Sequence, residues 1–122
     1  MTATNTPLAF IIEDDLPQAK VFDQALQDAG YATELFHDGQ SALARLAEIQ
    51  PQIVILDLHL PEIAGQDVLR TIRASTHLEE TRIIIATADY SLGETLDPIV
   101  DMVLIKPISY IQLREMARRM RK

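Results

Sequence analysis

Apolar residues in this chain fall in short unbroken runs, and each run ends in a polar or charged side chain. Ile53-Val54-Ile55-Leu56 stops at Asp57, and Ile83-Ile84-Ile85-Ala86 stops at Thr87. Branched runs of this length are too short for helices and match strands buried on both faces. Leu8-Ala9-Phe10-Ile11-Ile12 before Glu13-Asp14-Asp15, and Met102-Val103-Leu104-Ile105 before Lys106-Pro107, read the same way. Tyr31–Phe36 alternates instead, which places it nearer a sheet edge.

Between these runs the apolar period lengthens to that of a helix. Ala19, Phe22, Leu26 and Ala29 repeat at helical spacing behind an Asp15/Gln18 capping pattern, and Gly30 stops them. Ala42, Leu43, Leu46 and Ala47 mark a second helix closed before Pro51, and Val68, Leu69 and Ile72 a third from about Gly65 to Ser75. Thr76 to Thr81 reads as a polar connection. Ser91 and Glu94 form another capping pattern, but Pro98 limits that fourth helix to a turn or two. Ser109 and Gln112 cap a final helix with Leu113, Met116, Ala117 and Met120 on its inner face. Five strands alternating with helices predict an α/β fold, a doubly wound parallel sheet with helices on both faces. Right-handed crossovers then bring every strand's carboxyl end to one rim.

Composition narrows this picture. A chain of 122 residues with 48% hydrophobic content holds one core-forming domain, expected over 8–122 behind a disordered lead-in at 1–7. The absence of cysteine excludes disulfides and thiol chemistry and fits a reducing, cytoplasmic setting. No run approaches a membrane span. A net charge of −7 argues against direct nucleic-acid binding. Arg114, Arg118, Arg119, Arg121 and Lys122 are the exception, read as a solvated face with cations near a helix C-terminus.

The rim gathers Glu13, Asp14 and Asp57 with Thr87 and Lys106. Two carboxylates about 4 Å apart repel by roughly 4 kcal/mol at an effective dielectric near 20, so three together call for a cation. Hard oxygen ligands without cysteine suit Mg²⁺, with Asp14 and Asp57 as ligands and Glu13 acting mainly through water. The metal, the Lys106 ammonium and the Thr87 hydroxyl would then surround Asp57 with groups suited to a phosphoryl's oxygens, making Asp57 a nucleophile that forms an acyl phosphate.

Glu13-Asp14, Asp57 with Pro61 and Gly65, Thr87-Ala88 and Lys106-Pro107 together resemble the receiver domain of two-component response regulators, over Leu8 to about Arg121. The resemblance implies a flavodoxin-like sheet in the order 2-1-3-4-5 and Mg²⁺-dependent phosphorylation of Asp57 by a sensor histidine kinase or histidine phosphotransfer protein. It also implies the His59 backbone carbonyl as a further metal ligand, a cis Lys106-Pro107 bond, and a signalling domain rather than a turnover enzyme. This sequence departs from the family pattern at Val103, where an aromatic residue usually reports phosphorylation, and in the shortened helix after Thr87. Both changes lie on the face through which many receivers signal or form homodimers. The chemistry is thus expected intact and the readout altered, in a stand-alone receiver or a piece of a larger protein.

Two other readings compete: a phosphorylation-independent interaction domain, and a Mg²⁺-dependent phosphohydrolase. The latter usually carries a second aspartate two residues after the first, where this chain has His59. Flavin binding is disfavoured because Glu13-Asp14-Asp15 stands where a phosphate-cradling loop is needed. His37 and His77 are expected to face solvent, Asp15 to cap a helix, and the methionines to fill core.

Overall fold

The computed structural model of the chain describes residues 6–89, 91 and 100–121. Strand β1 (Leu8–Ile12) leads into helix α1 (Leu16–Asp28), then β2 (Ala32–Phe36), α2 (Gly39–Leu46), β3 (Ile53–Asp57) and α3 (Gly65–Ala74). A 3-10 turn (Thr76–Leu78), β4 (Arg82–Thr87), β5 (Met102–Ile105) and α4 (Tyr110–Met120) follow. All strand pairs are parallel, in the order β2-β1-β3-β4-β5. The predicted doubly wound sheet is present, with β2 at an edge. The short helix expected after Thr87 falls on 92–99, outside the described residues, as do Tyr90 and most of the lead-in.

The unbroken apolar runs follow from a sheet covered on both sides. Ala9, Ile11, Ile53, Ile55, Ile84 and Ala86 face one core, closed by Phe22, Ala25 and Leu26 of α1 and Leu113 and Ala117 of α4. Phe10, Ile12, Val54, Leu56, Ile83 and Ile85 face the other, closed by Ala42 and Leu46 of α2 and Val68, Leu69 and Ile72 of α3. Side chains alternate across a strand, so burying both faces requires apolar residues at every position. Met120 is buried and Met102 packs against the first core, as expected of filler.

Helix ends follow their local chemistry. The Asp15, Asp38 and Ser109 side chains accept the N–H groups of Gln18, Ser41 and Gln112. Helix α1 closes with Gly30 at φ 103°, while the Gly30 and Tyr31 N–H groups donate back to Gln27 and Leu26. This is a Schellman stop, and it requires the left-handed residue that glycine supplies. The Tyr31 hydroxyl then reaches the Ala117 carbonyl at 2.8 Å, tying the end of α1 to α4.

One connection holds more structure than its polarity predicts. Within Thr76–Thr81 the 3-10 turn buries Leu78 in the second core, and the His77 ring meets the Leu46 carbonyl at 2.8 Å. His77 is exposed as expected, yet it anchors the end of α2.

Gly65 sets how closely α3 approaches β3. A β-carbon there would lie 2.4 Å from the Asp57 carbonyl oxygen and 2.5 Å from the Leu58 α-carbon, both backbone atoms that cannot swing aside. Gly65→Ala is therefore expected to cost about 1–3 kcal/mol by overpacking and to lower Tm on the order of 5–10 °C by calorimetry. A Tm equal to wild type would show that α3 shifts freely.

Candidate functional site

Strand order reverses about β1, because β2 lies on one side of it and β3, β4 and β5 on the other. Ligand crevices in open α/β sheets form outside the strand carboxyl ends at such a switch point. Register fixes what stands there. Ile12 pairs with Leu56, Asp57 with Ala86, and Thr87 with Ile105. Glu13 and Asp57 therefore leave the neighbouring strands β1 and β3 at one level, and Lys106 follows β5 two residues further along, across β4.

Pleating also sorts these groups by face. Asp57 follows Ile53 and Ile55 on the α1/α4 side of the sheet. Glu13 and Lys106 reach the same side, with Lys106 Nζ 3.0 Å from Glu13 Oε1 and 3.6 Å from Asp57 Oδ2. Thr87 follows Ile83 and Ile85 on the α2/α3 side. Its hydroxyl accepts the Asp89 N–H at 3.0 Å, and its carbonyl accepts the Lys106 N–H at 2.8 Å. Val103, paired with Ile85, packs against the same second core.

Glu13, Asp14 and Asp57 each bring a carboxylate oxygen within 4.8 Å of the others. Glu13 is 1% exposed and Asp57 4%, whereas Asp14 is open to solvent. Both Glu13 oxygens already have protein partners, Oε1 the Lys106 ammonium and Oε2 the Asp15 N–H at 3.2 Å. Asp57 is also engaged, with Oδ2 3.6 Å from the Lys106 ammonium, whereas Asp14 has no such partner among the described residues. Asp57 Oδ1 accepts the His59 N–H at 3.0 Å, so the recorded His59 contact is through its amide. The His59 side chain is exposed. Asp15 is a helix cap, as expected. The Lys106-Pro107 bond is cis.

The donor set fits a hard divalent cation, since every side-chain ligand is a carboxylate and one ammonium cannot balance three of them. Electrostatic strain is visible at Glu13. Burial above all, with the Asp57 charge adding to it, pushes its carboxyl up to about 7 despite the Lys106 hydrogen bond.

Sequence reasoning missed one contact here. His37, just after β2 and expected only to face solvent, is exposed but directs Nδ1 at the Glu13 carbonyl oxygen, 3.1 Å away. A lone histidine in a polar turn carries no signal for such a contact. The Tyr110 hydroxyl donates to the Asp28 carboxylate, at the far end of α1 from the rim.

A doubly wound sheet with an acidic cluster and a lysine at its switch point is the arrangement expected of a receiver domain. The chain belongs to the response regulator receiver domain family, whose model matches residues 9–118. It is 30% identical to the transcriptional regulatory protein TrcR of Mycobacterium tuberculosis, over 98% of this chain and 46% of that protein. It is 32% identical to the response regulator MprA of Mycobacterium avium, over 91% of this chain and 48% of that one. The chain thus spans about half the length of the curated relatives it matches. Among solved structures, it superposes at a TM-score of 0.84 on the signal receiver domain of a Vibrio parahaemolyticus protein described as a Luxo repressor. That pair shares 30% identity over 93% of this chain and 88% of the other. The family consists of signalling domains rather than turnover enzymes, and no described helix is long and apolar enough to cross a membrane.

The raised Glu13 carboxyl gives a signed expectation. A carboxyl whose folded pKa exceeds its unfolded value stabilises the fold fully below about 4.5, and that contribution is lost as pH rises through about 7. In chelator, Tm should fall from about pH 5 to about pH 8 more steeply for wild type than for Glu13→Gln, whose amide stays neutral. Parallel profiles would place the cause elsewhere.

Proposed function

We propose that Asp57 accepts a phosphoryl group from a phosphohistidine on a sensor kinase or phosphotransfer protein, with Mg²⁺ held by Asp14 and Asp57. The observation that carries this reading is the position of Lys106 Nζ between the buried Glu13 and Asp57 carboxylates. An Asp57 oxygen attacks phosphorus in line with the departing imidazole. The P–N bond breaks as the acyl phosphate O–P bond forms, and the imidazole leaves with its proton. Bound Mg²⁺ supplies charge neutralisation for the phosphoryl oxygens. Lys106 contributes a fixed positive charge beside the acceptor oxygen. Thr87 accepts the Asp89 N–H, which leaves its own hydroxyl proton to donate to a phosphoryl oxygen. Glu13 keeps Lys106 in place and loads the site with negative charge, so the cation is drawn in before the phosphate.

The output is a changed surface read by a protein partner, because the acidic body of the domain is unsuited to nucleic acid. The relative named as a transcriptional regulatory protein is about twice this length, so that activity need not reside in the half that matches this chain. Val103 makes the readout unlike that of receivers with an aromatic ring there.

With a small phosphodonor and Mg²⁺, intact-mass spectrometry should show a gain of one phosphoryl in wild type and none in Asp57→Asn or in chelator. Lys106→Met should slow the gain by about 10-fold or more, as expected for removing a transition-state charge. A wild-type protein that gains no mass and does not respond to beryllofluoride would end this reading. Partner affinity unchanged by beryllofluoride and by Asp57→Ala would favour a phosphorylation-independent interaction domain.

A further inference from the structure

The acidic cluster poses a positioning problem. Asp14 is the exposed member, and among the described residues no hydrogen bond holds its carboxylate. Its place is therefore set by the backbone that carries it, beginning with the Glu13–Asp14 peptide. Beyond the last β1–β2 pair the Glu13 N–H still donates to the Phe36 carbonyl at 2.9 Å, extending the ladder by one rung. The next rung cannot be backbone, because the chain turns at His37-Asp38 to start α2 under the Asp38 cap. The Glu13 carbonyl is instead met by the His37 ring at 3.1 Å. A carbonyl has no proton to give, so Nδ1 carries the hydrogen and donates it. That bond fixes the carbonyl end of the peptide whose nitrogen belongs to Asp14. The Asp15 N–H on Glu13 Oε2 fixes the peptide after it.

We infer that His37 is a positioning residue for the metal site, orienting the Glu13–Asp14 peptide through Nδ1–H so that the Asp14 carboxylate faces Asp57. The inference rests on the Mg²⁺ reading above. It assigns His37 no contact with the metal or with phosphate. Removing a partner that orients a ligand typically weakens metal affinity by 10–100-fold while leaving the ligands themselves in place.

The test compares wild type, His37→Phe and His37→Asn by Mg²⁺ titration calorimetry near pH 8, where an ordinary imidazole is neutral. Phenylalanine keeps a ring and loses the donor. Asparagine places an amide N–H the same number of bonds from the α-carbon as Nδ1. His37→Phe should weaken Mg²⁺ binding about tenfold. His37→Asn should restore it to within about threefold. Tm in chelator should stay within about 2 °C of wild type for both, as expected of exposed positions. The long-range nitrogen–proton spectrum of wild type should show Nδ1 as the protonated ring nitrogen. Equal affinity in His37→Phe and wild type would overturn the inference and leave the metal site standing. An affinity loss matched by a fall in metal-free Tm, and not rescued by asparagine, would reduce His37 to a folding role and also overturn it. Failure of wild type to bind Mg²⁺ would remove both the metal reading and this inference.

Discussion

The structure turns on a crowd of negative charge that the fold cannot neutralise by itself. Three carboxylates meet at the switch point, two of them almost wholly buried, and among the described residues the Lys106 ammonium alone stands against them. Near the surface each close like-charged pair costs several kcal/mol. The folded chain relieves part of this by drawing Glu13 onto Lys106 and by holding the Glu13 proton to an unusually high pH. The remainder is a standing attraction for a cation. Stability has been given up at the rim, and the two apolar cores beneath it supply the surplus that permits this.

Those cores also explain why the rim is rigid enough to be useful. Every residue of β1 after Leu8, and all of β3, is buried, so a slip in register would drive polar groups into one core or the other. Register in turn fixes the level at which Glu13, Asp57 and Lys106 emerge. Behind Asp57 the chain is pinned by the contact of Gly65 with its backbone and by the Gly65 N–H on the Leu58 carbonyl. The Asp57 carboxylate is thus supported from both sides, by strands below and by the first turn of α3 above.

Much of this was legible in the sequence, for identifiable reasons. Doubly buried strands announce themselves as continuous branched runs, and the residue after each run falls on the rim, so Asp57 and Lys106 could be placed together before any coordinates. Caps at Asp15 and Ser109 and the stop at Gly30 follow from local rules. Long-range pairings were not legible. Nothing local tells Glu13 that its partner lies 93 residues away on Lys106, or tells His37 that its ring will meet the Glu13 carbonyl. Leu78, within the stretch read as a polar connection, is buried in the second core, and a single buried side chain has no period to betray it. Turns and isolated polar contacts depend on where other elements come to rest, and one-dimensional pattern does not carry that.

The division of side chains between the sheet's two faces has a consequence for communication. Asp57 and Lys106 stand on the α1/α4 side, whereas Thr87 and Val103 lie on the other, so the end of β4 is where the two faces of the sheet meet at the rim. Valine, branched at its β-carbon, has one strongly favoured rotamer and no length to swing. With a side chain that short, position 103 carries no ring to swing, and movement of any size there belongs to the main chain of β5.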